Sequence, residues 1–290
     1  MTSAAFALVL GSALCHASWN FLLKRSGHKI AFLWSFGAIA FALFLFPALI
    51  YAARDGLGSE WLVFGAGTAF LHGMYGLALT RGYQMGDLSS VYPIARGMGP
   101  ALVPLLAVII LDESVSVVAG FAIALVVCGI YILNVESFSP NDLMQPLRSL
   151  NRPAGRVAVL TGTLIAAYTL WDKAALDHLP AVALNQFAMG GHVLVLFPFV
   201  LLDRVRPLAA EWEERRWSIL LAGVLAPLAY VLVLAALTSG RVSYIAPARE
   251  VGIVIGALLG VVFLGEGYGR WRISGSLLIV AGALTLGLAP

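Results

Sequence analysis

The chain is written twice. Offset by about 150 positions, its second half places related residues opposite those of the first wherever polar groups interrupt apolar stretches. His16, Trp19 and Asn20 fall opposite Tyr168, Trp171 and Asp172 at an offset of 152, and Phe46 and Pro47 opposite Phe197 and Pro198 at 151. Ser90, Arg96, Gly99 and Glu113 fall opposite Ser243, Arg249, Gly252 and Glu266 at 153. Chance supplies one such block easily, but rarely three in the same order at nearly one spacing. The fold must accommodate two like halves.

Those halves are built for lipid. Apolar residues make up 60 % of the 290 positions and charged residues 11 %, with a mean hydropathy of +0.91, whereas a soluble domain is about half apolar and a quarter charged. A window of about 20 residues, enough to cross roughly 30 Å of hydrocarbon, predicts spans near 3–23, 30–53, 60–80, 88–111, 115–134, 157–176, 180–202, 217–238, 243–264 and 271–289. The N-terminal run is too long for a signal peptide and reads as the first retained span. Five spans per copy is an odd number, so the second copy enters the membrane from the opposite side. The expected fold is an all-α integral membrane protein of ten transmembrane helices in two inverted five-helix repeats. The first repeat covers residues 1–134, a linker 135–156 and the second repeat 157–290. The net charge of +3 gives no argument for nucleic acid. Cys15 and Cys128 both lie in apolar stretches and read as small buried hydrophobes.

Ionisable groups avoid lipid, so the spans that carry them should line the interior. Spans one, three, four, six, eight and nine carry His16, Asn20, His72, Tyr75, Arg96, Tyr168, Asp172, Tyr230, Arg249 and Glu250, and span seven joins in part through Asn185, Gln186 and His192. His16, Trp19 and Asn20 share one helical face by their i, i+3, i+4 spacing, which Tyr168, Trp171 and Asp172 repeat. The two faces are expected to meet near the axis as a substrate surface; a helix-to-helix hydrogen-bond cluster is the rival reading. Arg96 and Arg249 lie too deep for easy snorkelling and are expected to face a cavity, with Glu250 meeting another helix. His72 and Tyr75 read equally as a proton relay or as packed polar residues. Glu113 and Glu266, in turns at span ends, are expected to cap or anchor the next helix.

These features resemble the drug/metabolite transporter superfamily, specifically its EamA-type members. The residues that carry the likeness are the duplicated five-span unit, the turns Leu111-Asp112-Glu113 and Leu264-Gly265-Glu266, the Gly/Ala-rich spans that follow them, and the segment His16-Ala17-Ser18-Trp19-Asn20 with Lys24. The resemblance covers the whole chain. It implies a central cavity between the halves and secondary transport of a small polar or amphipathic metabolite.

The residues themselves support a transporter, because inverted repeats rocking about a midplane site give alternating access. A channel, a passive binding protein and an intramembrane enzyme are the alternatives. No HExxH, GxSxG, phosphate loop or CxxC occurs, and the five histidines are scattered, so neither a metal nor a cofactor is implied. Two arginines with Asp172 and Glu250 fit a zwitterionic, amino-acid-like solute, an amine or a phosphonate-like group. Proton coupling through Asp172, Glu250, His16 or His72 is a further expectation. Thirteen of the eighteen Lys and Arg residues follow odd-numbered spans and three follow even-numbered ones. The positive-inside rule then puts both termini outside the cytoplasm, opposite to the arrangement the resemblance implies, with the chain multi-pass in the inner (plasma) membrane.

Overall fold

The computed structural model describes every residue except 57, 86, 87, 136–138, 140, 142, 145–147, 149, 203–205, 266 and 268, together with the side chains of 55, 83, 84, 88–93 and 206. Much of the 135–156 linker, and Glu266, therefore lie outside the described residues.

The described secondary structure is helical: α1 Ser3–Arg25, α2 Lys29–Asp55, α3 Ser59–Met85, α4 Leu88–Ile110, α5 Val117–Leu133, α6 Pro153–Ala175, α7 Ala181–Leu202, α8 Arg206–Ser239, α9 Val242–Ala248, α10 Val251–Leu264 and α11 Arg270–Leu288. Eight stretches, with α9 and α10 counted as one, are long and apolar enough to cross a membrane, and the apolar helices Ile94–Ile110 and Val117–Leu133 complete ten. Large aliphatic side chains point outward, among them Ile109 at 75 % exposure and Val117 at 91 %. Such a surface belongs in hydrocarbon, since a soluble monomer rarely exposes a large contiguous apolar area.

Two helices depart from the expected spans. α8 begins ahead of its span and is kinked at the non-helical Arg215. Span nine divides into α9 and α10 at Arg249 and Glu250, where Glu250 N–H bonds to Pro247 O, Gly252 N–H to Arg249 O and Ile253 N–H to Glu250 O. These i→i−3 bonds tighten the helix into a 3₁₀-like turn. Pro247 lies just ahead of it, and a ring that lacks an N–H and crowds the preceding turn is a common cause of such a distortion.

The helices form an all-α membrane protein of ten spans in two inverted five-helix repeats. α1 packs against α8 and α10, while α6 packs against α3 and α4; α2 packs on α8, and α7 on α3; α5 pairs with α11. Exchanging the repeats maps the pairings of α1, α2, α6 and α7 onto one another and the α5–α11 pair onto itself. The α5–α11 pair packs backbone against backbone, for a Cβ on Gly129 would sit 2.7 Å from the Gly275 carbonyl oxygen, the close approach that small residues give membrane helices. The symmetry extends to the turns: Asp112 and Gly265 both take left-handed backbone, at φ 51° and 66°. Asp tolerates that region better than most residues.

The ends are tied by side chains reaching across the repeats. Glu113 accepts hydrogen bonds from the backbone N–H of Val242 at 2.8 Å and of Ser243 at 3.0 Å, and from the Ser243 hydroxyl at 2.5 Å. It therefore caps α9 of the opposite repeat, not the helix that follows it in sequence. At the other face Glu211 accepts from the N–H groups of Gly27 at 3.1 Å and His28 at 2.9 Å.

Candidate functional site

Asp172 is the centre of the first polar cluster. It lies near the C-terminal end of α6 and is 1 % exposed. A buried carboxylate persists only if its oxygens are satisfied, and three other side chains do this. Thr68 donates to Oδ1 at 2.8 Å, Tyr230 donates to Oδ2 at 2.6 Å, and His72 Nε2 lies 2.8 Å from Oδ2. The Tyr230 hydroxyl is also 3.1 Å from His72 Nε2. Aromatic rings enclose the group: Tyr168 is 4.3 Å from the His72 ring centroid, and Tyr75 stands edge-on to Tyr168 at 5.4 Å. His192 of α7 approaches His72 and Tyr75 at 6.1 and 6.5 Å. Thr68 had escaped notice in the sequence, although it precedes His72 by four residues and Tyr75 by seven, the spacing of one helical face.

The second cluster joins α1, α4 and the turn between α9 and α10. Arg96 Nη2 lies 2.9 Å from Glu250 Oε2, with both side chains nearly buried. Glu250 thus meets another helix, as expected. Arg96 Nη1 is also 3.5 Å from His16 Nε2. In the other repeat Arg249 and Tyr168 line one pocket together. Because Arg96 matches Arg249 and His16 matches Tyr168, these two pairs are related by the repeat. Glu250 breaks the symmetry, since Gly97 stands opposite it.

A narrow pocket opens where α6, α8 and α9 converge. Tyr168, Thr169, Asp172, Tyr230 and Arg249 supply its polar lining, and Val233, Leu234, Leu237, Ile245 and Ala246 its apolar wall.

The paired aromatic faces do not meet there. Trp19, 7 % exposed, packs with Leu23, Phe32, Phe36 and Ile219, edge-on to His16 and tilted on Phe36. Asn20 donates to the His16 carbonyl of its own helix at 2.8 Å. Trp171 donates from Nε1 to the Phe64 carbonyl at 3.0 Å, and a Cβ on Gly67 would meet its ring at 2.2 Å. Trp171 packs against α3 of the opposite repeat, whereas Trp19 packs between α2 of its own repeat and α8 of the other. Among the described residues no group of three or more His, Cys, Asp or Glu could hold a metal ion.

The profile of the EamA-like transporter family matches residues 155–288. The multidrug resistance protein EbrB of Bacillus subtilis (strain 168) is 26 % identical over 108 residues, which is 37 % of this chain and 91 % of that protein. A solved structure described only as a crystal structure of a protein aligns over 99 % of this chain and 98 % of its own, with a TM-score of 0.75 at 17 % identity; that likeness concerns the fold alone. Residues 155–288 thus match the EamA-like transporter family, a likeness that points to a multi-pass membrane transporter of the drug/metabolite type.

Proposed function

We propose that the chain is a secondary carrier that moves a small polar or zwitterionic metabolite by alternating access across the inner membrane. The solute is amino-acid-like, an amine or phosphonate-like. The two repeats, 1–134 and 157–290 joined by the linker 135–156, rock about the polar centre. The observation that carries this reading is a pair of repeat-related neighbours, Arg96 beside His16 and Arg249 sharing a pocket with Tyr168. Ionisable side chains are costly at membrane depth and usually mark a solute or ion path, and here they sit where the halves meet. Of the residues expected to bind solute, Tyr168, Asp172, Tyr230 and Arg249 line the pocket. His72, Tyr75, His16, Arg96 and Glu250 support them from behind. Trp19, Asn20 and Trp171 hold the helices that carry the site.

The Asp172–His72 pair is the natural proton site of such a carrier. A carboxylate and an imidazole at 2.8 Å, enclosed away from lipid, can exchange a proton with the tyrosine that bonds both. Counterflow in proteoliposomes tests the carrier reading: unlabelled solute trapped inside should drive transient uphill uptake of labelled solute outside. Unsaturable flux without counterflow would mark a channel, and a chemically altered solute an enzyme.

A further inference from the structure

We infer that the solute is a monocarboxylate with a branched apolar body, held by Arg249, and that it needs no amino group. This rests on the carrier reading and narrows its substrate class.

Most polar groups of the pocket are already committed to protein partners. The Thr169 hydroxyl donates to the Ile165 carbonyl at 2.6 Å. The Tyr230 hydroxyl is committed to Asp172 and His72. Asp172 already faces Thr68, Tyr230 and His72, which occupy three of the roughly four lone-pair sites of a carboxylate. An ammonium would therefore find little room on it. Arg249 differs, because its Nε has no hydrogen-bond partner. Among the described residues no carboxylate forms a salt bridge with it, while Glu250 pairs with Arg96. Glu250 is thus taken up by Arg96 and Asp172 by its own three partners, which leaves the Arg249 guanidinium without a direct ion pair among the described residues. A buried charge without a counter-ion is expensive, and a solute carboxylate supplies the missing one in the two-pronged geometry that arginine favours. A doubly charged phosphonate would over-compensate it. The wall beside Arg249 is apolar, built from Val233, Leu234, Leu237 and Ile245, which suits a branched hydrocarbon once the pocket widens from its present water-sized space.

The test uses three solutes with one shared branched tail. 4-Methyl-2-oxopentanoate carries the carboxylate alone, leucine carries both groups, and 3-methylbutylamine carries the ammonium alone. Each is titrated against the purified full-length protein with melting temperature as the readout, since a ligand of the folded state raises it, and each is then run in counterflow. The oxo acid should bind at least as tightly as leucine and at least roughly 10-fold more tightly than the amine. Arg249→Gln should weaken the oxo acid by roughly 10- to 100-fold. Arg249→Lys, which keeps the charge and loses the fork, should weaken it less and serves if the Gln variant does not fold. The inference is overturned if the amine binds more tightly, if leucine exceeds the oxo acid by 10-fold, if Arg249→Gln and Arg249→Lys both leave oxo-acid affinity unchanged, or if none of the three raises the melting temperature. Arg249-dependent oxo-acid binding without counterflow would instead retire the carrier reading and leave the anion site standing.

Discussion

Glu113 and Ser243, 130 residues apart, are joined by two hydrogen bonds onto a single carboxylate oxygen, one from the Ser243 backbone and one from its hydroxyl. The other oxygen takes the N–H of Val242. The end of the fourth span is thereby fastened to the start of the ninth. Glu113→Ala strands these donors at a partly buried helix start and should lower stability by about 1–3 kcal/mol, with Glu113→Gln milder because its one acceptor oxygen remains. Thermal unfolding of the two variants checks this, and an unchanged melting temperature for Glu113→Ala would deny the bonds their role.

The Arg96–Glu250 pair should show the asymmetry of buried ion pairs. Removing one partner costs roughly 3–5 kcal/mol because the other charge is stranded, whereas removing both is far cheaper. Arg96→Met and Glu250→Met should each cut folded yield severely, and the double variant should recover much of it. If the losses simply add, the contact carries no coupling.

Trp19 and Trp171 are expected to behave as packing residues. Trp19→Leu leaves space among Leu23, Phe32 and Phe36, and Trp171→Leu loses the bond to Phe64. Each should cost about 1–3 kcal/mol and leave the affinity of the folded carrier unchanged. A rise in dissociation constant of 10-fold or more in either well-folded variant would return the tryptophan to the solute path.

Much of this was legible in the sequence because hydrocarbon thickness fixes the length of a span and the duplication fixes the order. The matching turns at Asp112 and Gly265 could be paired from the Leu and Glu that flank each of them at one offset. The tightened turn at Arg249 and Glu250 was not legible, since Pro247 only permits a distortion and its size depends on packing. The shared face of Trp19 and Asn20 was read correctly as a face but assigned to the wrong neighbour. Helical periodicity says which side chains point together and nothing about which helix they meet. The ligands of Asp172 come from α3 and α8, more than 50 residues away in both directions, and only the folded chain brings them together.

Orientation follows from charge. With thirteen basic residues after odd-numbered spans against three after even ones, a reporter active only in the cytoplasm should be silent when fused after Pro290 and active when inserted in the 135–156 linker. The opposite pattern would show that the charge bias does not set this protein's orientation.

The central claim is that the pocket is reached from one side of the membrane at a time. Ala246 lines that pocket, and Ala246→Cys in a background with Cys15 and Cys128 replaced by serine offers one thiol to a membrane-impermeant reagent. Alternating access predicts that the thiol is modified from either face in turn, and that trapping the pocket open to one face by a bulky adduct abolishes both counterflow and reactivity from the other. Modification from both faces at once, or from a single face under every solute gradient, would contradict it.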